Sequence, residues 1–131
     1  MGLQPTLIGI AIVEHDGCYL VGTRGSDGPL AGFAEFPGGK CTADESPQQC
    51  ALRECWEETG LRVTAVEPLL QHTFAFEHDT VDLHFWLCHP VDISDVTHDH
   101  LGFRWVTAAN LRSLKFPDAN QPLLALLARR P

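Results

Sequence analysis

The sequence predicts a fold of the α/β or α+β class built around a mixed β-sheet. Short apolar runs that suit strands occur before and after a strongly marked helix at residues 47–59, and a further amphipathic helix is predicted at 121–129. Strands and helices that mix along the chain in this way pack as layers around a shared core. A length of 131 residues without an internal repeat predicts one domain over residues 1–131.

The predicted strands are apolar or alternating runs bounded by turn residues. They cover residues 7–13, 18–23, 34–37, 62–66, 69–76, 80–88 and 103–106. The Asp-Gly pair at 16–17 is a hairpin signal, and a second turn is expected at 78–79. Pro37 cannot donate a ladder hydrogen bond, so its strand ends there or lies at an edge. The polar segments 25–32 and 91–102 are predicted loops.

The helix at 47–59 is flanked by residues that favour both of its ends. Ser46 suits the N-cap, and Gln49 completes a capping box. Gly60 suits the left-handed position that closes a helix at its C-terminus. A shorter helix of one or two turns is predicted within 107–114, after a capping threonine.

One face of the helix at 47–59 gathers acidic side chains. At about 100° per residue, Glu54, Glu57 and Glu58 fall within an arc of about 100°. The opposite side is expected to pack on the sheet. Its residues are Leu52, Cys55, Trp56 and Thr59. Like charges at this spacing cost roughly 0.2–0.5 kcal/mol per pair. A solvated acidic face is one interpretation. The other is a site for a hard divalent cation, Mg²⁺ first and Mn²⁺ as the alternative.

Composition limits the function classes. The net charge is -8, with nine Lys and Arg, which is opposite in sign to the basic field of a nucleic-acid-binding surface. No apolar run approaches the roughly 20 residues that cross a bilayer, and residues 1–15 lack the basic segment of a secretory signal. A cytoplasmic location is therefore expected. An anionic substrate would need local cations or a bound metal.

The cysteines and histidines show no pattern of a disulfide framework or a zinc site. The five cysteines include no C-x-x-C pair, so reduced and mostly buried thiols are expected. They stand at positions 18, 41, 50, 55 and 88. No H-E-x-x-H or related pattern is present. The histidines expected at surface positions are His72, His78, His84, His89, His98 and His100.

Residues 39–61 resemble the Nudix box, G-x5-E-x7-R-E-U-x-E-E-x-G-U, in which U is a bulky aliphatic residue. The matching string is Gly39-x5-Glu45-x7-Arg53-Glu54-Cys55-Trp56-Glu57-Glu58-Thr59-Gly60-Leu61. Every fixed residue of the box is present, and only Cys55 departs from the bulky aliphatic type. The resemblance implies a Nudix-type α/β/α sandwich with a mixed sheet. In that family this loop–helix–loop binds divalent metal and the phosphates of the substrate.

The resemblance also implies roles for single residues. The implied metal ligands are Glu54, Glu57, Glu58 and the backbone carbonyl of Gly39. Arg53 would orient Glu57 by an ion pair, and Glu45 would support the loop or a water molecule at the metal. Gly38 and Gly39 have no side chains, so the backbone there can approach a metal closely.

The implied reaction is metal-assisted phosphoryl transfer, in which water attacks phosphorus in line and a carboxylate accepts its proton. Two carboxylates are candidates for this base, Glu57 on the helix and Asp99 on the loop before Trp105. Family members often have a Glu-His pair six residues before that Trp, and here the corresponding pair is Asp99-His100. The candidate catalytic residues are Glu57, Arg53 and Asp99.

The resemblance extends to the substrate side. Residues 35–40, Glu-Phe-Pro-Gly-Gly-Lys, are similar to the family's lead-in to the box. Residues 116–122 resemble the MutT branch, which hydrolyses nucleoside triphosphates and oxidised guanine nucleotides. Asn120 matches the base-reading Asn of that branch, and a helix N-cap is its alternative role. Phe36 and Phe76 are candidates to sandwich a base. The substrate-binding candidates are Arg24, Phe36, Gly38, Phe76 and Asn120.

The resemblance predicts Mg²⁺-dependent hydrolysis of a nucleoside triphosphate, either unmodified or resembling 8-oxo-dGTP, to the monophosphate and pyrophosphate. One alternative is a Nudix hydrolase of another diphosphate, such as ADP-ribose, a dinucleotide or a nucleotide sugar. A non-catalytic nucleotide-binding module is the second alternative. A monomer and a homodimer both remain open.

Overall fold

A mixed β-sheet between helices forms in the part of the chain that the computed structural model describes, residues 4–26, 28, 30–77 and 79–130. The strands are β1 (Thr6–His15), β2 (Cys18–Thr23), β3 (Ala34–Glu35), β4 (Gly38–Lys40), β5 (Val63–Ala75), β6 (Thr80–Pro90), β7 (Asp99–His100) and β8 (Phe103–Thr107). Their order is β5-β6-β1-β2-β8-β7, with β3 paired to β2 and β4 paired to β1. β1 and β6 run parallel and the other pairs antiparallel, which confirms the predicted mixed sheet.

β1 lies inside the sheet and is buried on both faces. Ile10 and Ile12 point into one apolar core, while Ala11 and Val13 point into a second core on the other face. A strand covered on both sides has a continuous apolar run rather than an alternating one. This arrangement confirms the buried strand predicted for residues 7–13.

Helices cover the two faces of the sheet. Helix α1 (Pro47–Thr59) packs Ala51 and Cys55 into the core that contains Ala11. Helices α2 (Ala108–Leu111) and α3 (Gln121–Arg129) pack Leu111, Leu123 and Leu127 into the opposite core. The predicted α/β/α arrangement is therefore confirmed. None of the helices within the described ranges has the length and apolar character needed to cross a membrane.

The ends of α1 follow from its flanking residues, as predicted. The Ser46 hydroxyl accepts from the Gln49 amide at 3.1 Å, and the Gln49 side chain accepts from the Ser46 amide at 2.9 Å. Gly60 takes a left-handed conformation, with φ 71°, at the other end. These contacts satisfy amides and carbonyls that the first and last turns of a helix leave free.

A glycine in β1 allows α1 to approach the sheet closely. A Cβ atom at Gly9 would lie 2.5 Å from the Pro47 carbonyl oxygen and 2.8 Å from the Ala51 amide nitrogen. Only a residue without a side chain fits there. The close approach places the second half of α1, where the carboxylates are, beside the β3–β4 segment.

The strand predicted at 34–37 is divided in two. β3 ends at Glu35, and β4 starts at Gly38 and pairs with β1. Between them the Pro37 carbonyl accepts from the Ala11 amide at 2.8 Å. The break at Pro37 agrees with the missing amide hydrogen of proline.

The prediction of separate strands at 62–66 and 69–76 was wrong, because β5 is continuous. Its register with β6 shifts between Ala65 and Glu67 and again between Pro68 and Leu70. β5 lies at the edge of the sheet, where a proline and bulges are tolerated because one side of the strand has no ladder to complete. The turn predicted at His78 lies outside the described residues, as do Asp27 and Pro29 of the predicted loop 25–32.

The segment predicted as a loop at 91–102 contains a 3-10 helix, Ile93–Asp95, and the short strand β7. The surface position predicted for His100 was also wrong, since His100 is 7% exposed. Its Nε2 accepts from the Thr97 amide at 3.1 Å, and the Trp105 indole donates to the Thr97 carbonyl at 2.9 Å. These contacts fold the polar segment back onto β8.

Trp56 does not pack on the sheet, contrary to the prediction. It is 44% exposed, and the Arg62 guanidinium lies 4.2 Å from its ring centroid. Cys50 and Ala51 occupy the buried face in its place. All the cysteines are free thiols, as predicted, and Cys50, Cys55 and Cys88 are buried.

Candidate active site

A cavity of about 400 Å³ opens beside the start of β1, the β3–β4 segment and a 3-10 turn before α3, Asp118–Asn120. Its wall is largely apolar and includes Ile8, Leu83 and Ala119. The substrate-binding candidates all line it, namely Arg24, Phe36, Gly38, Phe76 and Asn120. Gly39 and Glu58 line the same cavity. The structure thus brings the predicted substrate-binding residues and two of the predicted metal ligands, Gly39 and Glu58, to one cavity.

The two glycines of β4 make room for carboxylates of α1. A Cβ atom at Gly39 would lie 2.6 Å from the Glu54 carboxylate. The Gly38 amide donates to Oε1 of Glu58 at 3.1 Å. Glu54 and Glu58, one helical turn apart, therefore meet the backbone of the same strand.

Arg53 joins three carboxylates. Its Nη1 donates to Oε1 of Glu54 at 3.0 Å and to the two oxygens of Glu57 at 3.0 and 3.1 Å. Its Nε and Nη2 donate to the two oxygens of Glu45. The Glu45 carboxylate also accepts from the Thr42 amide at 2.9 Å. Hydrogen bonds from Arg53 and Thr42 lower the pKa of Glu45 to about 2.

Glu58 has an unusual protonation equilibrium. Burial raises the pKa of its carboxyl to about 7, although the hydrogen bond from Gly38 opposes the shift. The neighbouring Glu54 and Glu35 carboxylates raise it further. The ionised form of such a group is stabilised by a positive charge nearby, so the part of the cavity wall at Gly38 and Glu58 favours a cation.

A second charged pair lies in the cavity wall. Nη1 of Arg24 and Oε1 of Glu35 are 3.9 Å apart. Burial raises the pKa of Glu35, and the Arg24 guanidinium partly opposes the change. The pair is separate from the Arg53 network on α1.

Asp99 lies apart from the other candidates. It is exposed, and its Oδ1 accepts from the Gly102 amide at 3.2 Å in the β7–β8 hairpin. It is not among the described residues that line the cavity. By accepting from the Gly102 amide, the Asp99 carboxylate stabilises the turn between β7 and β8.

Asn120 and the two phenylalanines have different surroundings. Asn120 precedes α3, but its side chain makes no capping hydrogen bond. Phe36 is 6% exposed and stacks on Phe116 with a centroid distance of 5.0 Å. Phe76 is 49% exposed and lies 4.9 Å from Phe74. Phe36 is therefore part of the core that borders the cavity, while Phe76 has a ring surface open to solvent.

Similarity to known proteins extends over most of the chain. A model of the NUDIX domain matches residues 9–126. The chain belongs to the Nudix family. The match includes the Nudix box, the strands that surround the cavity and most of α3.

Two curated relatives cover nearly all of this Nudix chain. CTP pyrophosphohydrolase of Escherichia coli (strain K12) is 34% identical over 127 residues, which are 92% of this chain and 93% of that protein. The 8-oxo-dGTP diphosphatase of the same strain is 29% identical over 122 residues, with 93% and 94% covered. The solution structure of the E. coli ORF135 protein has 30% identity and a TM-score of 0.76, and the match covers 98% of this chain and 95% of that one. This Nudix protein is a hydrolase of phosphorus-containing anhydrides.

Nudix hydrolases use divalent metal ions, and the donor chemistry of this site fits that requirement. Carboxylate and carbonyl oxygens are the ligands that hard cations prefer, and Glu54 and Glu58 meet at the β4 backbone. Among the described residues, however, no three His, Cys, Asp or Glu side chains already form a metal-holding group. Glu57 is turned toward Arg53.

Sequence reasoning assigned no role to two residues of this Nudix site. One is Glu35, which lies between two buried residues, Ala34 and Phe36. Cys50 donates from its thiol to the Gly39 carbonyl at 3.3 Å. Nothing in the spacing of the cysteines indicates that contact.

Proposed function

We propose that this Nudix hydrolase cleaves a nucleoside triphosphate to the monophosphate and pyrophosphate, with Mg²⁺ as its metal. The cavity lined by Glu58 is the observation that supports this best. Its volume of about 400 Å³ is in the range of small-molecule sites, and such sites combine apolar walls with a few placed polar groups. The names of the two curated relatives, which refer to CTP and to 8-oxo-dGTP, point to the same substrate class.

The residues that would hold the metal are Glu54, Glu57, Glu58 and the Gly39 carbonyl. Mg²⁺ bound there would neutralise the diphosphate and lower the pKa of the attacking water, and Mn²⁺ accepts the same oxygen donors. Without a cation, the carboxylates of α1 would repel a triphosphate, because both are negatively charged. The net charge of the whole chain, -8, would add to this repulsion. Arg53 would hold Glu54 and Glu57 in place through the bonds described above.

The cavity would orient the nucleoside. The Asn120 amide is free of a capping bond and can offer a donor and an acceptor to the base. Phe76 has the exposed ring that can cover a base, whereas Phe36 supports the wall from the core. In this arrangement the phosphates would extend toward Gly38 and Lys40, which line the same cavity.

The bond changes define what the side chains must do. The oxygen of water forms a new bond to the α- or the β-phosphorus, the anhydride bond between these two phosphoryl groups breaks, and the nucleoside monophosphate and pyrophosphate separate. A carboxylate takes the proton of the water. We assign this role to Glu57, because it is exposed on α1 beside the other carboxylates, whereas Asp99 is bonded to Gly102 outside the cavity wall.

The test is a panel of nucleoside triphosphates assayed with Mg²⁺, with the products separated by chromatography. We expect a nucleoside monophosphate and pyrophosphate in equal amounts, and a large loss of rate in Glu57→Gln. Absence of turnover for every nucleotide, or equal rates for the variant, would contradict the proposal. Release of a monophosphate only from ADP-ribose, a dinucleotide or a nucleotide sugar would favour the other diphosphate class. The cytoplasmic location stays a prediction that fits this substrate class.

A further inference from the structure

We propose that Glu35 determines specificity by accepting a hydrogen bond from an exocyclic amine of the substrate's base. The inference rests on the proposed function, because it requires a nucleotide whose base lies in the cavity that Glu35 and Asn120 line. It defines a narrower substrate class, nucleotides whose base has an amino group, as cytosine and guanine have. Bases with a keto oxygen or a hydrogen at that position are expected to be poorer substrates.

The backbone holds Glu35 in a defined place. β3 pairs Glu35 with Gly22 of β2, and the neighbours Ala34 and Phe36 are both buried in the core. The Glu35 side chain is 34% exposed and lines the cavity that Asn120 also lines. A carboxylate fixed on a strand in this way keeps its position more closely than one on a loop.

The acceptor capacity of Glu35 is largely unused within the protein. In the described ranges, no N–H or O–H group donates a hydrogen bond to its carboxylate, and its ion pair with Arg24, at 3.9 Å, is longer than a hydrogen bond. Partial burial of a carboxylate without hydrogen-bond donors destabilises the folded protein, because the group has lost hydrogen bonds to water that no protein group replaces. A ligand that brings N–H groups into the cavity would supply the missing donors.

An ionised carboxylate has only acceptors, so it distinguishes an amine from a keto group. The N4 amine of cytosine and the N2 amine of guanine donate to such a group. The O4 of uracil is itself an acceptor, and hypoxanthine has only a hydrogen where guanine has its N2 amine. Asn120 alone would not discriminate, because its amide can present either its oxygen or its NH₂ group. The discrimination between amine and keto is therefore assigned to Glu35.

The experiment compares matched substrates. Values of kcat/KM are measured with Mg²⁺ for CTP against UTP and for GTP against ITP, for the wild type and Glu35→Gln. We expect the wild type to prefer the amine member of each pair by about tenfold or more, since hydrogen bonds to charged groups contribute on the order of 1.5–3 kcal/mol. In Glu35→Gln both ratios are expected to fall by about tenfold. The new NH₂ group can donate to the O4 of UTP, and the charged acceptor for the N2 amine of GTP is lost.

Asp95→Asn is the matched control, because Asp95 is an exposed carboxylate that does not line the cavity. It is expected to leave both ratios unchanged. Equal kcat/KM for the members of each pair in the wild type would overturn the inference, as would an unchanged ratio in a folded Glu35→Gln. The kcat/KM ratios of the wild type test the preference for an amino group even if Glu35→Gln does not fold.

A separate readout distinguishes failure of this inference from failure of the proposed function. If no triphosphate is turned over, the proposed function is wrong, and binding of CMP against UMP and GMP against IMP is titrated instead. Tighter binding of the amine members would still support the role of Glu35. Equal binding within both pairs would overturn it.

Discussion

The Glu54 carboxylate lies where a side chain on Gly39 would be, because a Cβ atom at that glycine would be only 2.6 Å from it. The obstructed group is the far end of a flexible side chain, so Gly39→Ala is expected to displace Glu54 rather than to unfold the protein. We predict a loss of stability below about 1 kcal/mol and a fall in kcat/KM of about a hundredfold, since a displacement of about 1 Å can have that effect. Urea unfolding and steady-state kinetics measure the two quantities.

Gly9→Ala is the matched contrast, because the atoms around Gly9 cannot move aside. A Cβ atom there would lie 2.5 Å from the Pro47 carbonyl oxygen and 2.8 Å from the Ala51 amide, both in the backbone of α1. The helix would have to shift away from β1. We predict a loss of about 1–3 kcal/mol or more in the free energy of unfolding, measured by urea titration. A variant as stable as the wild type would show that α1 approaches the sheet less closely than described.

Arg53 links stability to pH through Glu45. The pKa of Glu45 is lowered to about 2 in the folded chain, from an ordinary value of 4.5, mainly by its hydrogen bond from Arg53. A lowered acid pKa stabilises the fold above about pH 4.5, and that contribution is lost as the pH falls toward 2. Arg53→Gln is therefore predicted to be less stable than the wild type at pH 6, with a difference that narrows at pH 3. Unfolding curves at several pH values test this. A constant difference would contradict the assignment to Glu45.

Glu58 should show the opposite dependence in metal-free protein. Its pKa is raised to about 7, chiefly by burial, so its contribution favours folding below pH 4.5 and becomes unfavourable as the pH rises through 7. With EDTA present, Glu58→Gln is predicted to be more stable than the wild type at pH 8 by about 1–2 kcal/mol, allowing for partial solvent screening. The two proteins should be nearly equal at pH 4. Thermal unfolding in EDTA gives the comparison, and a variant that is less stable at pH 8 would be the contrary result.

The sequence predicted α1 to the residue because local contacts define its ends. The Ser46–Gln49 capping box and Gly60 are both readable from the chain, and the helical period then places the carboxylates on one face. The parts that were not predicted depend on distant contacts. β5 continues through Pro68 because it lies at the sheet edge, and His100 is buried because Thr97 and Trp105 fold over it.

In the candidate site, too, the features set by local spacing were predicted and those set by distant contacts were not. Spacing within α1 was enough to predict that Glu54, Glu57 and Glu58 share a face. The surroundings of Glu35 were not predictable, because the cavity wall is formed by segments as far apart as Arg24, Val81 and Asn120. Similarly, the simultaneous bonds of Arg53 to Glu45 and Glu57 require the loop before α1 to return to the helix, which no local pattern describes.

Glu57 and Asp99 are the two carboxylates that could accept the proton of the attacking water. Glu57→Gln removes the proton acceptor and one proposed metal ligand. At saturating Mg²⁺ it is therefore predicted to lower kcat by at least about a hundredfold, the lower range for general-base catalysis. Asp99→Asn keeps an oxygen that can accept from the Gly102 amide, so the hairpin is preserved and kcat is predicted to fall by less than about tenfold. Single-turnover rates with Mg²⁺, compared across pH, separate the chemical step from substrate binding. If Asp99→Asn loses as much rate as Glu57→Gln and abolishes the acidic limb of the pH profile, the proton goes to Asp99, and the hairpin must then move toward the cavity during the reaction.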